Sequence, residues 1–101
     1  MNATKLEAFR ALVEAEQQAR LNAAGYDLAF QDYRCSIKIG RKYANIDVGR
    51  SGKYMVDLAT SEIFGIKGYG VIHRGHRFGT LDTINNWDWS GYRAIRKQQA
   101  A

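Results

Sequence analysis

Residues 33–58 read YRCSIKIGRKYANIDVGRSGKYMVDL, and apolar and polar side chains alternate through three parts of this stretch. A period of two is the pattern of a β-strand that buries one face and exposes the other. Two short glycine-containing segments, residues 40–41 and 49–52, separate the three parts and permit tight turns. The stretch therefore predicts two successive hairpins of an antiparallel meander.

The segment before the strands predicts a helix, and the fold class is therefore α+β. Thr4 and Glu7 form a capping-box pattern, so the helix is expected to begin near residue 5 and to end at Gly25. Its apolar stripe favours a helix that packs on the sheet over one that binds a partner. The stripe consists of Leu6, Phe9, Val13 and Leu21.

The segments after residue 58 extend this fold. Residues 63–67 form a further apolar segment, so we expect a small antiparallel sheet of three to four strands. Five glycines follow within residues 65–79; they predict a loop, and they mark either bulges and close approaches to a ligand or simple turns. Ser90 is a candidate cap for a short C-terminal helix through Tyr92 and Ile95 to Arg96.

Length and composition set the broad class of the protein. The 101 residues fit one domain, residues 1–101, and the hydrophobic fraction of 46% argues against disorder. The single cysteine, Cys35, cannot form an internal disulfide, and no apolar run approaches the ~20 residues that cross a bilayer. We therefore expect a cytoplasmic location. The net charge is +5, and residues 34–101 carry all of this excess, which favours a polyanionic partner.

Residues 67–74, KGYGVIHR, combine glycines, an aromatic ring and cationic or titratable groups. Residues 67–72 resemble the RNP1-type motif of RNA-recognition and cold-shock domains, in which exposed rings stack on bases and basic groups hold phosphates. The resemblance implies a stacking role for Tyr69 and a phosphate contact for Lys67. It departs from the motif at Val71 and Arg74, where aromatic residues are usual. The alternative is a glycine-bent strand with a half-buried Tyr69.

Further cations are candidates for the same nucleic-acid-binding surface. If the hairpin turns and the glycine-rich segment meet at one end of the sheet, their basic residues form a single rim that contacts several phosphates. The predicted rim comprises Arg41, Lys42, Arg50, Lys53, Lys67, Arg74 and Arg77, with His73 and His76 in support. Ordinary solvated faces of the domain are the alternative explanation for these charges.

The two histidines also raise the questions of metal binding and catalysis. His73 and His76 do not complete the four ligands that a structural zinc site requires, so we predict neither a metal nor another cofactor. His76 and Asp82 are a candidate acid–base pair for phosphodiester cleavage, but no nucleophile or paired carboxylates accompany them. The sequence therefore favours a binding protein over an enzyme. Trp87, Trp89 and Tyr92 are expected to close the core, with a docking platform as the alternative.

A wider part of the chain is similar to a group of small bacteriophage-encoded proteins that have no assigned biochemical role. Residues 51–57, 63–76 and 79–83 carry the resemblance. It implies a phage origin and expression in the bacterial cytoplasm. Small phage proteins often bind nucleic acid, DNA or RNA, or inhibit host proteins and nucleoproteins such as polymerases, nucleases and CRISPR complexes. Nucleic-acid binding is therefore the leading expectation, and docking on a host protein is the alternative; a small phosphodiesterase or nuclease ranks third.

Overall fold

A helix and a five-stranded antiparallel sheet make up most of the structure, which is a computed structural model that describes residues 3–27, 29, 33–91 and 94–97. The large sheet has the strand order β1-β2-β3-β4-β5, so each strand pairs with its neighbours in sequence. The elements are α1 (Ala3–Ala23), β1 (Cys35–Ile39), β2 (Tyr43–Val48), β3 (Ser51–Asp57), β4 (Glu62–Gly68), β5 (Val71–Thr80), a short 3-10 helix (Ile84–Asn86), β6 (Trp87–Asp88) and β7 (Ile95–Arg96).

Helix α1 begins within two residues of its predicted start and ends as predicted, but Leu21, the last residue of its predicted apolar stripe, is only half-buried and does not belong to the core. Leu6, Phe9 and Val13 are buried in the core. At the other end, the amide of Tyr26 donates to the carbonyl of Leu21, and Gly25 has a φ of +83°. This is a Schellman motif, in which a left-handed glycine satisfies the last carbonyls of the helix.

The meander and the α+β class are confirmed, but among the described residues the large sheet has five strands rather than three to four, and β6 and β7 form a separate two-stranded sheet. The fifth strand is the glycine-rich segment, which was expected to be a loop. Gly70, with a φ of +75°, makes the tight turn before β5, and the pairing then jumps from Gly65↔His73 to Phe64↔Arg77. Residues 74–76 are thus extra residues in a β-bulge. The bulge interrupts the period of two that marks a strand in sequence.

The core lies between α1 and one face of the sheet, and aromatic rings fill its centre. Trp89 is fully buried, with its ring centroid 4.7 Å from that of Phe9 and 5.2 Å from that of Tyr54. Phe78 meets the Tyr54 ring edge-on at 5.7 Å, a geometry that aromatic pairs prefer. Trp89 therefore closes the core as predicted. Trp87 packs at its margin, and Tyr92 lies outside the described residues.

The predicted C-terminal helix is wrong at Ile95–Arg96, which form β7 and pair with β6. Ser90 does not act as a helix cap there. Its amide and its hydroxyl both donate to the Asp88 carboxylate, at 2.9 and 2.6 Å. Asp88, two positions before Ser90, thus forms a local turn with it. The Ser90 groups that take part in this turn are not available to cap a helix.

Because two titratable groups are buried in the core, we expect the protein to lose stability at alkaline pH. Burial raises the pKa of the Cys35 thiol to about 11, and it also raises the pKa of the Tyr54 hydroxyl above its usual value. Both groups ionise at lower pH in the unfolded chain, which then binds fewer protons than the folded protein. The free energy of unfolding should therefore fall as the pH rises from about 9 towards 11.

The Cys35 contribution can be isolated by comparing urea unfolding of the wild type and of Cys35→Ala at about pH 8 and about pH 10.5 under reducing conditions. One pKa unit is equivalent to about 1.4 kcal/mol, so the wild type should lose on the order of 1 kcal/mol more than the variant over this interval. Equal losses in the two proteins would contradict a neutral buried thiol.

Candidate functional site

The two faces of the sheet have different roles. Ala44, Ile46 and Val56 belong to the core with α1, and we call their side of the sheet the inner face. Successive residues of a strand point to opposite sides, so Asn45 and Asp47 lie on the opposite side, the outer face. The outer face also carries Met55 and Phe64, which pair directly across β3 and β4, and Lys38, which pairs with Asn45.

Most of the predicted cations in turns are divided between the two ends of the sheet. Arg41 and Lys42 occupy the β1–β2 turn, whereas Arg50 lies in the β2–β3 turn. Consecutive hairpins of a meander turn at alternate ends, so these two turns are separated by the length of β2. Lys67, next to the β4–β5 turn, lies at the same end as Arg50. All four side chains are exposed, but they do not form the single rim that we expected.

Tyr69 is an exposed ring with a fixed hydroxyl. Its relative exposure is 51%, and its hydroxyl donates a hydrogen bond of 2.9 Å to the Asp47 carboxylate. That bond, which the phenol can donate only while it is protonated, raises the pKa of Tyr69. The ring passes beside Gly52, where an added Cβ would lie 3.0 Å from a ring carbon. Tyr69 is therefore presented to solvent on the outer face, not sealed in the core.

Arg74 reaches across the outer face to Tyr43, the first residue of β2. One of its Nη atoms donates to the hydroxyl of Tyr43 at 2.6 Å, and its guanidinium lies 5.9 Å from the centroid of the Phe64 ring. Tyr43 is on β2 and Arg74 on β5, so this side chain spans the two strands between them. The planar cation of Arg74 thus lies over the buried ring of Phe64 and is hydrogen-bonded to a second aromatic side chain, that of Tyr43.

Arg77 lies on the same strand but has a different environment. It donates a hydrogen bond of 2.7 Å to Glu62, and this bond lowers the pKa of the Glu62 carboxyl. Arg77 of β5 and Glu62, the first residue of β4, both lie towards the end of the sheet that is remote from the β4–β5 turn. The ion pair reduces the net charge that Arg77 offers to a ligand. Arg74, by contrast, is hydrogen-bonded to the neutral hydroxyl of Tyr43.

His73 and His76 are stacked on each other at the bulge of β5. Their ring centroids are 3.9 Å apart and their planes differ by 3°. Gly75 permits this approach, because a Cβ there would lie 3.0 Å from the His73 ring. Stacked rings direct their nitrogen lone pairs in parallel planes rather than towards one ion, and the described residues contain no group of three metal-ligating side chains. Asp82, the proposed acid–base partner of His76, forms an ion pair with Lys5.

Lys53 and His76 lie at a cavity on the inner face instead of the outer face. The cavity has a volume of about 580 Å³, and Arg20 of α1 also lines it. The Lys53 side chain is half-buried, and burial lowers the pKa of its ammonium group. No motif in the sequence marks Arg20, which directly precedes Leu21 in a helix that was expected only to pack on the sheet.

The outer face also contains residues that the sequence indicated only as parts of a solvated strand face. Alternation in β1 and β2 places Lys38 and Tyr43 on the polar side of their strands, and the structure bears out that placement. The contact of Tyr43 with Arg74 depends on β5, which the sequence did not reveal as a strand. No protein-family model, curated protein sequence or solved structure matches this chain. Helix α1 is too polar to cross a bilayer, and no other described helix could do so.

Proposed function

We propose that this protein binds single-stranded nucleic acid, DNA or RNA, along the outer face of its sheet. The observation that carries the proposal is Arg74, whose guanidinium lies over Phe64 and is held by the hydroxyl of Tyr43. Non-specific binders of single strands combine cations that follow the backbone with planar groups on which bases stack. Arg74 and Tyr43 supply both kinds of contact on this face.

The cations at the two ends of the sheet could contact the two ends of one nucleic-acid strand that runs along the outer face. A single strand running parallel to β2 would meet Lys67, Tyr69 and Arg50 at one end. It would then pass Arg74 and Lys38 and reach Arg41 and Lys42 at the other end. The six residues of β2 span about 20 Å at 3.3 Å per residue, which gives room for several nucleotides. Four predicted residues do not belong to this site. Lys53 and His76 line the cavity on the inner face, His73 stacks on His76, and Arg77 forms an ion pair with Glu62.

The overall charge supports this partner. The chain carries a net charge of +5, and all of that excess belongs to residues 34–101, the part of the sequence that contains the five strands of the large sheet. A positive field raises the rate at which a polyanion is captured, and each phosphate contact releases counterions. Affinity should therefore decrease steeply with salt concentration.

The test is a fluorescence-anisotropy titration of labelled single-stranded DNA and RNA with Arg74→Gln, and Arg77→Gln as the matched control. Both variants remove one exposed arginine from β5. Hydrogen bonds to charged groups are worth about 1.5–3 kcal/mol, so Arg74→Gln should weaken binding at least about tenfold. Arg77→Gln should change affinity less than about twofold, because Glu62 already pairs with that residue.

Two results would contradict the proposal. One is wild-type binding that is absent at low salt or insensitive to salt. The other is an equal effect of the Arg74 and Arg77 variants, which would assign binding to general charge. The host-inhibitor function that the phage resemblance implies would use the same cations against an acidic protein surface. A host protein retained from nuclease-treated bacterial lysate by the wild type but not by Arg74→Gln would favour that function.

A further inference from the structure

The inner face contains a cavity because β3 and β4 separate along half of their length. The two strands pair only at Met55↔Phe64 and Val56↔Ile63. Beyond Met55, β3 is also bulged, since Ile46 pairs with Tyr54 and Asp47 pairs with Gly52. Lys53 is the extra residue. The resulting cavity of about 580 Å³ is within the range of small-molecule sites, and we call it the inner cavity.

Cationic and titratable side chains enter the inner cavity from three elements. Lys53 comes from the bulge of β3, Arg20 from the last turns of α1, and His76 from the bulge of β5. A hydrogen bond of 3.0 Å to the carbonyl of Ser90 positions the Arg20 guanidinium. Burial and the nearby charge of Arg20 both lower the pKa of Lys53, against an opposing contribution from the neighbouring Cys35. An anion in the cavity would offset both effects.

The remaining wall of the inner cavity is apolar and partly aromatic. Tyr54 and Phe78 contribute rings, and Ile66 and Ile95 contribute aliphatic groups. The Tyr54 hydroxyl is buried, and the backbone of Ala94 approaches it without reaching hydrogen-bond geometry. Pockets that select small molecules typically combine such apolar walls with a few convergent polar groups.

From this arrangement we propose that the inner cavity binds a small aromatic anion, in which a flat ring packs against Tyr54 and Phe78 and a negative group contacts Lys53 and Arg20. This site lies on the opposite side of the sheet from the proposed nucleic-acid surface. It takes a different ligand, and it does not depend on that function. Aromatic carboxylates and nucleoside monophosphates share the required chemistry.

The first test uses 1-anilinonaphthalene-8-sulfonate, an aromatic anion whose fluorescence increases on transfer to an apolar site, with N-phenyl-1-naphthylamine as its neutral analogue. A charge-assisted contact is worth at least about a tenfold change in affinity, so Lys53→Met should weaken binding of the anionic probe by this factor. Arg20→Gln should have a smaller effect. Arg41→Gln, in the β1–β2 turn, is the control and should bind as the wild type does.

The neutral analogue should bind the wild type and Lys53→Met equally, because its interaction does not involve charge. Methionine keeps the length and packing of the Lys53 stem, and a thermal melt of each variant verifies the fold. Anionic-probe affinity that is unchanged in Lys53→Met would overturn the proposal. A loss of probe binding in Arg74→Gln would also overturn it, since that result places the probe on the outer face.

A second measurement locates the site without any substitution. Gly52, Gly65 and Gly91 line the inner cavity, and glycine amides are readily resolved in nitrogen–proton correlation spectra. The anionic probe should shift these three amides and leave that of Gly40 unmoved, and Gly65 and Gly91 decide the location because Gly52 also adjoins the Tyr69 ring on the outer face; unmoved Gly65 and Gly91 amides would reject the site. Competition by adenosine monophosphate and by indole-3-acetate then distinguishes a phosphate ligand from a carboxylate ligand. Oligonucleotide affinity that is unchanged in Lys53→Met separates this result from the proposed function.

Discussion

Replacing Trp89 with alanine should remove about 4 kcal/mol from the free energy of unfolding, the typical cost of deleting a fully buried tryptophan. The ring has no solvent exposure and contacts those of Phe9, Tyr54 and Phe78. Domains of this size are stable by about 5–15 kcal/mol. The variant should therefore retain only a small part of its stability at ordinary temperature, and urea unfolding followed by circular dichroism measures the loss.

Trp89 also joins the two layers of the fold through hydrogen bonds. Its amide donates to the Glu16 carboxylate at 2.9 Å, and its carbonyl accepts from the Gln17 side chain at 2.7 Å. Its indole nitrogen donates to the carbonyl of Ile84 at 2.8 Å. Trp89→Phe keeps a ring but leaves that buried carbonyl unpaired, which costs about 1–3 kcal/mol.

The half-buried Trp87 supplies the matched control for this prediction. Trp87→Ala should cost less than Trp89→Ala, because part of its ring already contacts water and its removal opens a smaller cavity. Equal losses of stability for the two alanine variants would show that Trp89 is not the centre of the core. A small loss for Trp89→Ala alone would lead to the same conclusion.

Gly79→Ala should be the most damaging of the conservative glycine substitutions, with a loss of about 3 kcal/mol. The backbone φ of +73° disfavours any L side chain by about 1–2 kcal/mol. An added Cβ would in addition overlap Thr83 Oγ1 and lie 2.9 Å from the indole nitrogen of Trp87. Thr83 cannot easily move, because its hydroxyl accepts from the amide of Thr80 and donates to the Thr80 carbonyl, at 2.9 and 3.1 Å.

Gly70→Ala is the control for the backbone contribution. Gly70 has a nearly identical φ of +75°, but an added Cβ there would meet no atom within 4 Å. Its substitution should therefore cost only the conformational penalty, about 1–2 kcal/mol. Chemical denaturation of both variants gives the difference. Equal costs would mean that the Thr83 turn yields without loss, contrary to the expected steric conflict.

The parts of the fold that local patterns determine were predictable from the sequence. Alternation gave the first strands, and Gly25 marked the end of α1 because only a left-handed residue completes its cap. The fifth strand was not predictable in this way. Its pairing with β4 is long-range, and the bulge at residues 74–76 replaces the alternation that marks a strand. The hydrogen bonds from Ser90 to Asp88, which replace the expected helix cap, likewise become visible only in the folded turn.

For the candidate site too, the features that local sequence determines were predictable and the long-range contacts were not. Lys67 and Tyr69 are exposed as their motif suggested, whereas the contact between Arg74 and Tyr43 joins strands far apart in sequence. The division of the turn cations was deducible, since a meander necessarily sends consecutive turns to opposite ends. The inner cavity was not deducible, because it depends on the separation of β3 from β4 and on the position of Arg20 above the gap.

The bulge of β5 has a consequence for the solubility of the protein. Strands β1 and β5 are the edges of the five-stranded sheet, and unpaired edges can recruit other chains into aggregates. The extra residues 74–76 deform one edge, while the other is only five residues long and carries the charged Lys38. Each edge is therefore a poor template for a further strand, which protects a basic, sheet-rich protein from polymerising with its own copies.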